Sequence, residues 1–380
     1  MQRTDDIGWL SIGLSERGRF TILDHGRLDH VVSELGDPAN QYPALCVYIG
    51  AKAKDACLRQ LYQYNNIKRH VSAAEVKLRY DMGSLETSRP VLFADGGLEY
   101  KSSTSSSMIG CVKTERSISW DSPCAGTVLR NIWARLIFLF ADVICLFASD
   151  SADLADVADF LLECLRLQSS SSLPVAIRPR IIIVTEAPWA GRRIYGTSGA
   201  VPLQTGQEQS RDLVGVLFCD PFYAPGANWD DMYTVRKDHG AIFNATHLVA
   251  LFRLALQHTA EDICRSFDFV KATREQNEVP VSSSMAIAHY LDIGTKAGVY
   301  YEELAPSISS ALVMDHYVPG MLALEPRAVF QALYRSVVFD ALQITPVNQP
   351  YRTIDELAGM VERNMVEQFH KLESTGQSSS

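Results

Sequence analysis

Leu45-Cys46-Val47-Tyr48-Ile49-Gly50-Ala51-Lys52-Ala53-Lys54-Asp55-Ala56-Cys57-Leu58-Arg59-Gln60-Leu61 is the stretch that decides the fold class of this chain. A short apolar run ends on a glycine and passes into a helical pattern. Strand, glycine turn and helix is the layout of a phosphate-binding loop, whose working form reads G-x-x-x-x-G-K-[ST]. Counted from Gly50, Asp55 stands at the second glycine, Ala56 at the lysine and Cys57 at the hydroxyl that would hold magnesium. The outline is present and its chemistry is absent.

Outward from this segment, strand-like and helix-like patterns alternate, which implies an α/β layered domain with a mostly parallel sheet. Continuous apolar runs at 45–49, 90–94, 143–148 and 180–184 read as strands buried on both faces, with a further candidate at 214–219. The run Glu75-Val76-Lys77-Leu78-Arg79-Tyr80 alternates polar and apolar residues, the pattern of a half-exposed edge strand. An edge strand just before a buried one suits the hairpin of a Ras-like fold. Helices are expected at 53–64, 125–139 and 151–167, the last capped by Ser151 with Asp153 and Asp156 in its first turns. Serine-rich stretches at 102–107 and 169–172, and the segment 186–212, read as loops.

From about residue 240 the pattern is helical throughout, at 241–257, 285–298, 307–317, 326–342 and 353–372. The expected architecture is therefore a degenerate Ras-like P-loop sheet with flanking helices, followed by an α-helical domain. Its parts are an N-terminal extension (1–39), the α/β domain (40–220), the helical domain (221–372) and a disordered tail (373–380). In helix 353–372, Ile354, Leu357, Met360, Val361, Met365 and Phe369 form one apolar stripe, which either caps the helical domain or docks a partner.

The 380 residues are 47% apolar and 21% charged, a globular composition. A formal charge of -9 and the lack of a basic cluster argue against nucleic acid or an anionic membrane as partner. No apolar run approaches the roughly 18 to 20 residues of a spanning helix. The start, Met1-Gln2-Arg3-Thr4-Asp5-Asp6, lacks the pattern of a signal peptide. Eight scattered cysteines without C-x-x-C spacing read as reduced residues of an intracellular, cytoplasmic protein, and neither zinc nor another metal is expected.

A nucleotide site needs N–H groups around the phosphates, a lysine for their charge and a hydroxyl for magnesium. Gly50 keeps the turn, but Ala56 removes a charge-assisted contact of about 1.5–3 kcal/mol. Asp55 adds a repulsion of about 4 kcal/mol at an intermediate dielectric. Lys52 and Lys54 fall short of the place from which a lysine reaches the phosphates. Asp95-Gly96-Gly97-Leu98 retains the aspartate of D-x-x-G without its second glycine, and Thr185-Glu186-Ala187-Pro188 stands where N-K-x-D belongs. Gly50, Lys52, Lys54 and Asp95 are thus the residues of a vestigial nucleotide site. No catalytic residue, metal ligand or cofactor is expected. The adjacent pairs Asp29-His30, Asp238-His239 and Asp315-His316 point to different sides of their elements and make no acid–base site. Trp189, Phe222, Tyr223 and Trp229 read as aromatic anchors of long loops.

Several phrases resemble the amino-terminal region of large fungal patatin-like phospholipase proteins. They are Ala134-Arg135-Leu136-Ile137-Phe138-Leu139-Phe140-Ala141-Asp142-Val143-Ile144-Cys145-Leu146-Phe147, Leu173-Pro174-Val175-Ala176-Ile177-Arg178-Pro179-Arg180-Ile181-Ile182-Ile183-Val184 and His247-Leu248-Val249-Ala250-Leu251-Phe252-Arg253. Met314-Asp315-His316-Tyr317-Val318-Pro319-Gly320-Met321 and Ala328-Val329-Phe330-Gln331-Ala332-Leu333-Tyr334 extend the likeness over most of 43–375. The resemblance implies a divergent P-loop GTPase-type domain with a helical extension, standing before a catalytic lipase domain. Patatin chemistry needs a serine in G-x-S-x-G. None occurs; Gly196-Thr197-Ser198-Gly199-Ala200 places its glycine one position early, and Asp95-Gly96-Gly97 mimics only the aspartate half. The expected function is a non-catalytic pseudoenzyme that works through protein partners in interaction or regulation. The alternatives are an atypical GTP or ATP switch and an accessory chain acting in trans with a patatin-like lipase.

Overall fold

The computed structural model describes residues 7–65, 67, 75–99, 113–150, 154–166, 171–184, 216–219, 226–274, 277–317, 322, 324–345 and 352–376. The chain forms two compact units, 1–238 with 242–267, and 239–241 with 268–380. This differs from the expected division. The first unit takes in the residues read as an extension, and it keeps two helices beyond residue 220.

The first unit holds strands β1 (Gly8–Leu14), β2 (Phe20–Asp24), β3 (Ala44–Ile49), β4 (Glu75–Tyr80), β5 (Val91–Gly96), β6 (Thr114–Ser117), β7 (Val143–Phe147), β8 (Arg180–Val184) and β9 (Val216–Cys219). Its helices are α1 (Arg27–Ser33), α2 (Lys52–Leu61), α3 (Ala125–Arg135), α4 (Leu154–Arg166), α5 (Gly226–Asp238) and α6 (Ala245–Glu261). Nine described strands form one sheet in the order β6-β2-β1-β4-β5-β3-β7-β8-β9. From β5 to β9 all neighbours are parallel, and β4 is antiparallel to β5. The stretch from β4 to β9 is a Ras-like sheet, with its first strand (β3) between the third and fourth and its second (β4) reversed.

All six strands read from the sequence are present. One of them, however, is no edge: β4 pairs with β1 as well as β5, and the meander β1, β2, β6 carries the sheet onward. Two of the three alternating polar residues of β4 therefore do not face water, and Lys77 is half-buried. Glu75 and Arg79 are buried, and Arg79 ion-pairs with Asp95. Alternation marked a charged interior.

Parallel strands between helix layers bury both faces, which is why β3 and β7 read as unbroken apolar runs. On one face, Cys46, Tyr48, Phe93, Cys145 and Phe147 pack with Cys57 and Leu58 of α2 and with Tyr62, which ends it; the Tyr62 and Phe93 rings stack at 4.0 Å. Helix α3 lies on the other, where Trp133 covers Gly96 and donates from Nε1 to the Gly97 carbonyl at 3.2 Å. At the strands' N-terminal end Asp142 accepts from the Leu45 amide at 2.8 Å and pairs with Arg236 of α5 at 2.9 Å. That contact ties α5 to the first unit.

The second unit contains α7 (Phe269–Ala272), α8 (Ser283–Lys296), α9 (Tyr301–His316), α10 (Pro326–Val329), α11 (Arg335–Ile344) and α12 (Ile354–Gly376), with a π-helical turn at Phe330–Tyr334 between α10 and α11. Helix α12 runs to Gly376, so much of the expected disordered tail is helical; 377–380 lie outside the described residues. Leu357, Val361, Met365 and Phe369 are buried. Ser309 of α9 donates to the Val361 carbonyl at 2.8 Å, and Tyr301 to that of Leu357 at 3.0 Å. The α12 stripe is a cap on α9.

Where α9 meets the π turn, Tyr334 donates its hydroxyl proton to Asp315 at 2.6 Å and Arg274 pairs with the same carboxylate at 2.8 Å. His316, next in the chain, is 1% exposed, and among the described residues neither ring nitrogen has a hydrogen-bond partner. Burial, aided by the Arg274 cation and opposed by Asp315, lowers its pKa to about 4. An unfolded imidazole takes up its proton near pH 6.5, so below that pH the unfolded chain binds more protons and stability falls as pH drops toward 4. Between pH 7 and 5 the loss should be about 2 kcal/mol. His316→Phe should flatten the profile by that amount, measured by urea unfolding at both pH values.

Candidate functional site

The residues expected to form a site lie around the C-terminal ends of β3, β5 and β7, the edge at which open α/β sheets bind ligands. Helix α2 begins at Lys52, two residues after Gly50. A working phosphate-binding loop spans from its first to its second glycine before its helix opens. Counting the full motif from Gly50 is therefore a misregistration. Asp55, Ala56 and Cys57 are not loop residues; they lie within α2, Cys57 facing the core and Ala56 facing solvent. Restoring the motif letters there would put lysine and serine on the wrong turn.

The first N–H groups of a helix need acceptors, and their end of the helix carries partial positive charge. Here the acceptor comes from within the chain. Asp150, in the short turn Ala148–Asp150 after β7, accepts from the amides of Ala51 at 2.6 Å, Ala53 at 2.8 Å and Lys54 at 2.9 Å. A carboxylate thus sits where a phosphate would. Gly50 makes the approach possible, since a Cβ there would lie 2.7 Å from Asp150 Oδ2 and 2.8 Å from Phe147 Cβ.

The four expected residues have different fates. Lys52 is exposed at the start of α2. Lys54 is fully buried, its Nζ 2.8 Å from Asp55 and 2.9 Å from Asp95. The second oxygen of Asp95 pairs with Arg79 of β4. Burial works against the charge on each group, but the Lys54 ammonium and the Arg79 guanidinium outweigh it and hold the Asp95 carboxyl below the ordinary carboxylate range. Likewise Asp95 and Asp55 outweigh burial and hold the Lys54 ammonium above the ordinary lysine range. Lys77, opposite Asp95 on β4, is shifted down, chiefly by burial. Gly50, Lys54 and Asp95 therefore share one site, with Lys52 at its rim.

Asp150 and Arg79 were not found from the sequence. Arg79 was hidden by the edge-strand reading. Asp150 stands three residues past the end of β7, a spacing that alone names no partner. Thr185-Glu186-Ala187-Pro188, Ser198, Trp189, Phe222, Tyr223 and the side chain of Trp229 lie outside the described residues, as does Ser151. Among the described residues no helix is long and apolar enough to cross a membrane.

Neither the protein-family models nor the curated proteins searched contain a match to this chain.

Two substitutions at the seat should cost stability together. Asp150→Ala removes the acceptor of three amides and should cost about 1–2 kcal/mol, as the loss of a strong helix cap does. Gly50→Ala should displace the same carboxylate. The double variant should therefore cost less than the sum, as expected for residues in contact; urea unfolding of the three variants measures it.

Lys54→Met leaves Asp55 and Asp95 buried without their ammonium and should cost about 3–5 kcal/mol. Lys52→Met, at an exposed position, should stay within about 0.5 kcal/mol. The Asp95 contribution is present above the unfolded carboxylate pKa and lost as pH falls through its lower folded value. The Lys54 difference should therefore persist from pH 8 to pH 5, which unfolding at both values would test.

Proposed function

We propose that this chain is a non-catalytic, intracellular interaction or regulatory protein, built on a GTPase-like frame whose phosphate seat is closed by its own Asp150. The observation that carries this reading is the three-amide contact of that carboxylate with the start of α2. A nucleotide phosphate would have to displace an anion that is tethered, and therefore always at high local concentration. The nearby charged groups are engaged as well: Lys54 between Asp55 and Asp95, and Asp95 between Lys54 and Arg79. Such a domain keeps one conformation instead of cycling between two, and its surfaces are what it offers. The resemblance to patatin-associated N-terminal regions makes a patatin-like lipase domain the first protein partner to try.

Calorimetric titration of the full chain with GTP, GDP and ATP in magnesium tests the closed seat. No saturable heat is expected at chain concentrations of about 100 µM, whereas a micromolar dissociation constant for any of the three would overturn the reading.

A further inference from the structure

Helix α8 is apolar on both sides, which a helix with one side in water does not require. Its inner side packs in the second unit: Ala288, Leu291 and Gly294 are buried, and a Cβ on Gly294 would lie 2.7 Å from the Leu304 methyls of α9. Its outer side carries Met285 at 59%, Ile293 at 55% and Tyr290 at 38% exposure, and Val281 just before the helix is 98% exposed. Ala286 and His289 lie between them and are exposed too. Residues 285, 289 and 293 follow one another at four-residue spacing, so they form one stripe along the helix, with Val281 just ahead of it.

We propose that this stripe is a self-association surface, on which a second copy of the chain docks its own α8 antiparallel. Two observations select that occupant. The first is charge. Residues 279–291 contain no Asp, Glu, Lys or Arg, and the two charges on α8, Asp292 and Lys296, neutralise each other at 2.7 Å. With a formal charge of -9, two copies repel over most of their surfaces, and an uncharged face is where they can meet. An anionic membrane would instead ask for cations along the apolar face. The second is area. The six side chains present on the order of 500 Å², the size of the largest patch on ordinary monomers. Paired, they bury about 1,000 Å², the lower bound of a specific interface.

A two-fold axis at His289 makes the stripe self-complementary. Met285 then meets Ile293 of the second copy, and His289 meets its own counterpart. Lys296 falls opposite Ser282, so no like charges are opposed. At this area the dimer is weak, with a dissociation constant on the order of 10–100 µM.

Sedimentation equilibrium of the full chain from about 5 to 200 µM tests it. The weight-average mass should rise from one chain toward two. Met285→Glu and Ile293→Glu should each hold it at one chain with the melting temperature unchanged, because both side chains are exposed. His289→Cys, in a Cys124→Ser/Cys264→Ser background that removes two exposed thiols, should form a disulfide-linked dimer on oxidation well beyond that background alone. A chain that stays monomeric throughout overturns the proposal, as does a dimer insensitive to both glutamates. A monomer that floats with phosphatidylserine vesicles unless Ile293 is changed would overturn it in favour of a lipid surface.

Discussion

The contact between the Asp150 carboxylate and the first amides of α2 is the constraint from which the geometry of the site follows. A helix that starts directly behind a central strand presents its unsatisfied N–H groups at the sheet's C-terminal edge, and something anionic must meet them. In a nucleotide-binding protein a long glycine loop lets a phosphate do so. Here α2 begins two residues after Gly50, and there is no loop in which to seat a ligand. The neighbouring strand supplies the anion instead, from the turn after β7. Once it does, position 50 must lack a side chain, because a Cβ would collide with both Asp150 and Phe147. The glycine that outlines a phosphate-binding loop thus has a structural reason of its own.

The buried ions below this contact follow a related logic. Taking Lys54, Asp55, Asp95 and Arg79 out of water carries a desolvation cost that attraction offsets only when geometry is good and lone pairs are filled. Both oxygens of Asp95 have a cation, and Lys54 bridges two carboxylates. Such a cluster adds little stability over an apolar one, yet any single deletion leaves an uncompensated charge. It also fixes the register of β4 against β5 and α2, because Arg79, Asp95 and Lys54 come one from each.

What the sequence made legible divides along these lines. Buried parallel strands announce themselves because both faces need apolar residues, and β3, β5, β7 and β8 fell where the pattern placed them. Antiparallel β4 was found by its alternation, though not as the interior strand it is. The β1–β2–β6 meander was not found. Gly8–Leu14 is interrupted by Gly and Ser and pairs with β4 across more than sixty residues, while Phe20–Asp24 is only five residues long and pairs with β1 and with the distant β6. Gly50, Lys54 and Asp95 converge in space, but the partner that meets the start of α2 is Asp150, brought near by the parallel pairing of β3 with β7. Local spacing carries no trace of a contact that spans 96 to 99 residues.

The helical unit shows the same limit from the other side. Helices α8 and α12 both display apolar stripes, and periodicity treats them alike. Burial separates them. In α12 the stripe is covered by α9, and the polar remainder is salted with Glu362, Arg363 and Glu367 facing outward. In α8 the covered side is made of Ala288, Leu291 and Gly294, with Gly294 against Leu304 of α9 and the Ala288 carbonyl bonded by Thr345 at the end of α11, while the larger Met285, Tyr290 and Ile293 are exposed. A helix that only filled a core would place its bulk inward and its small residues out. The inversion is what singles out the outer side of α8, and not that of α12, as a face still open to a neighbour.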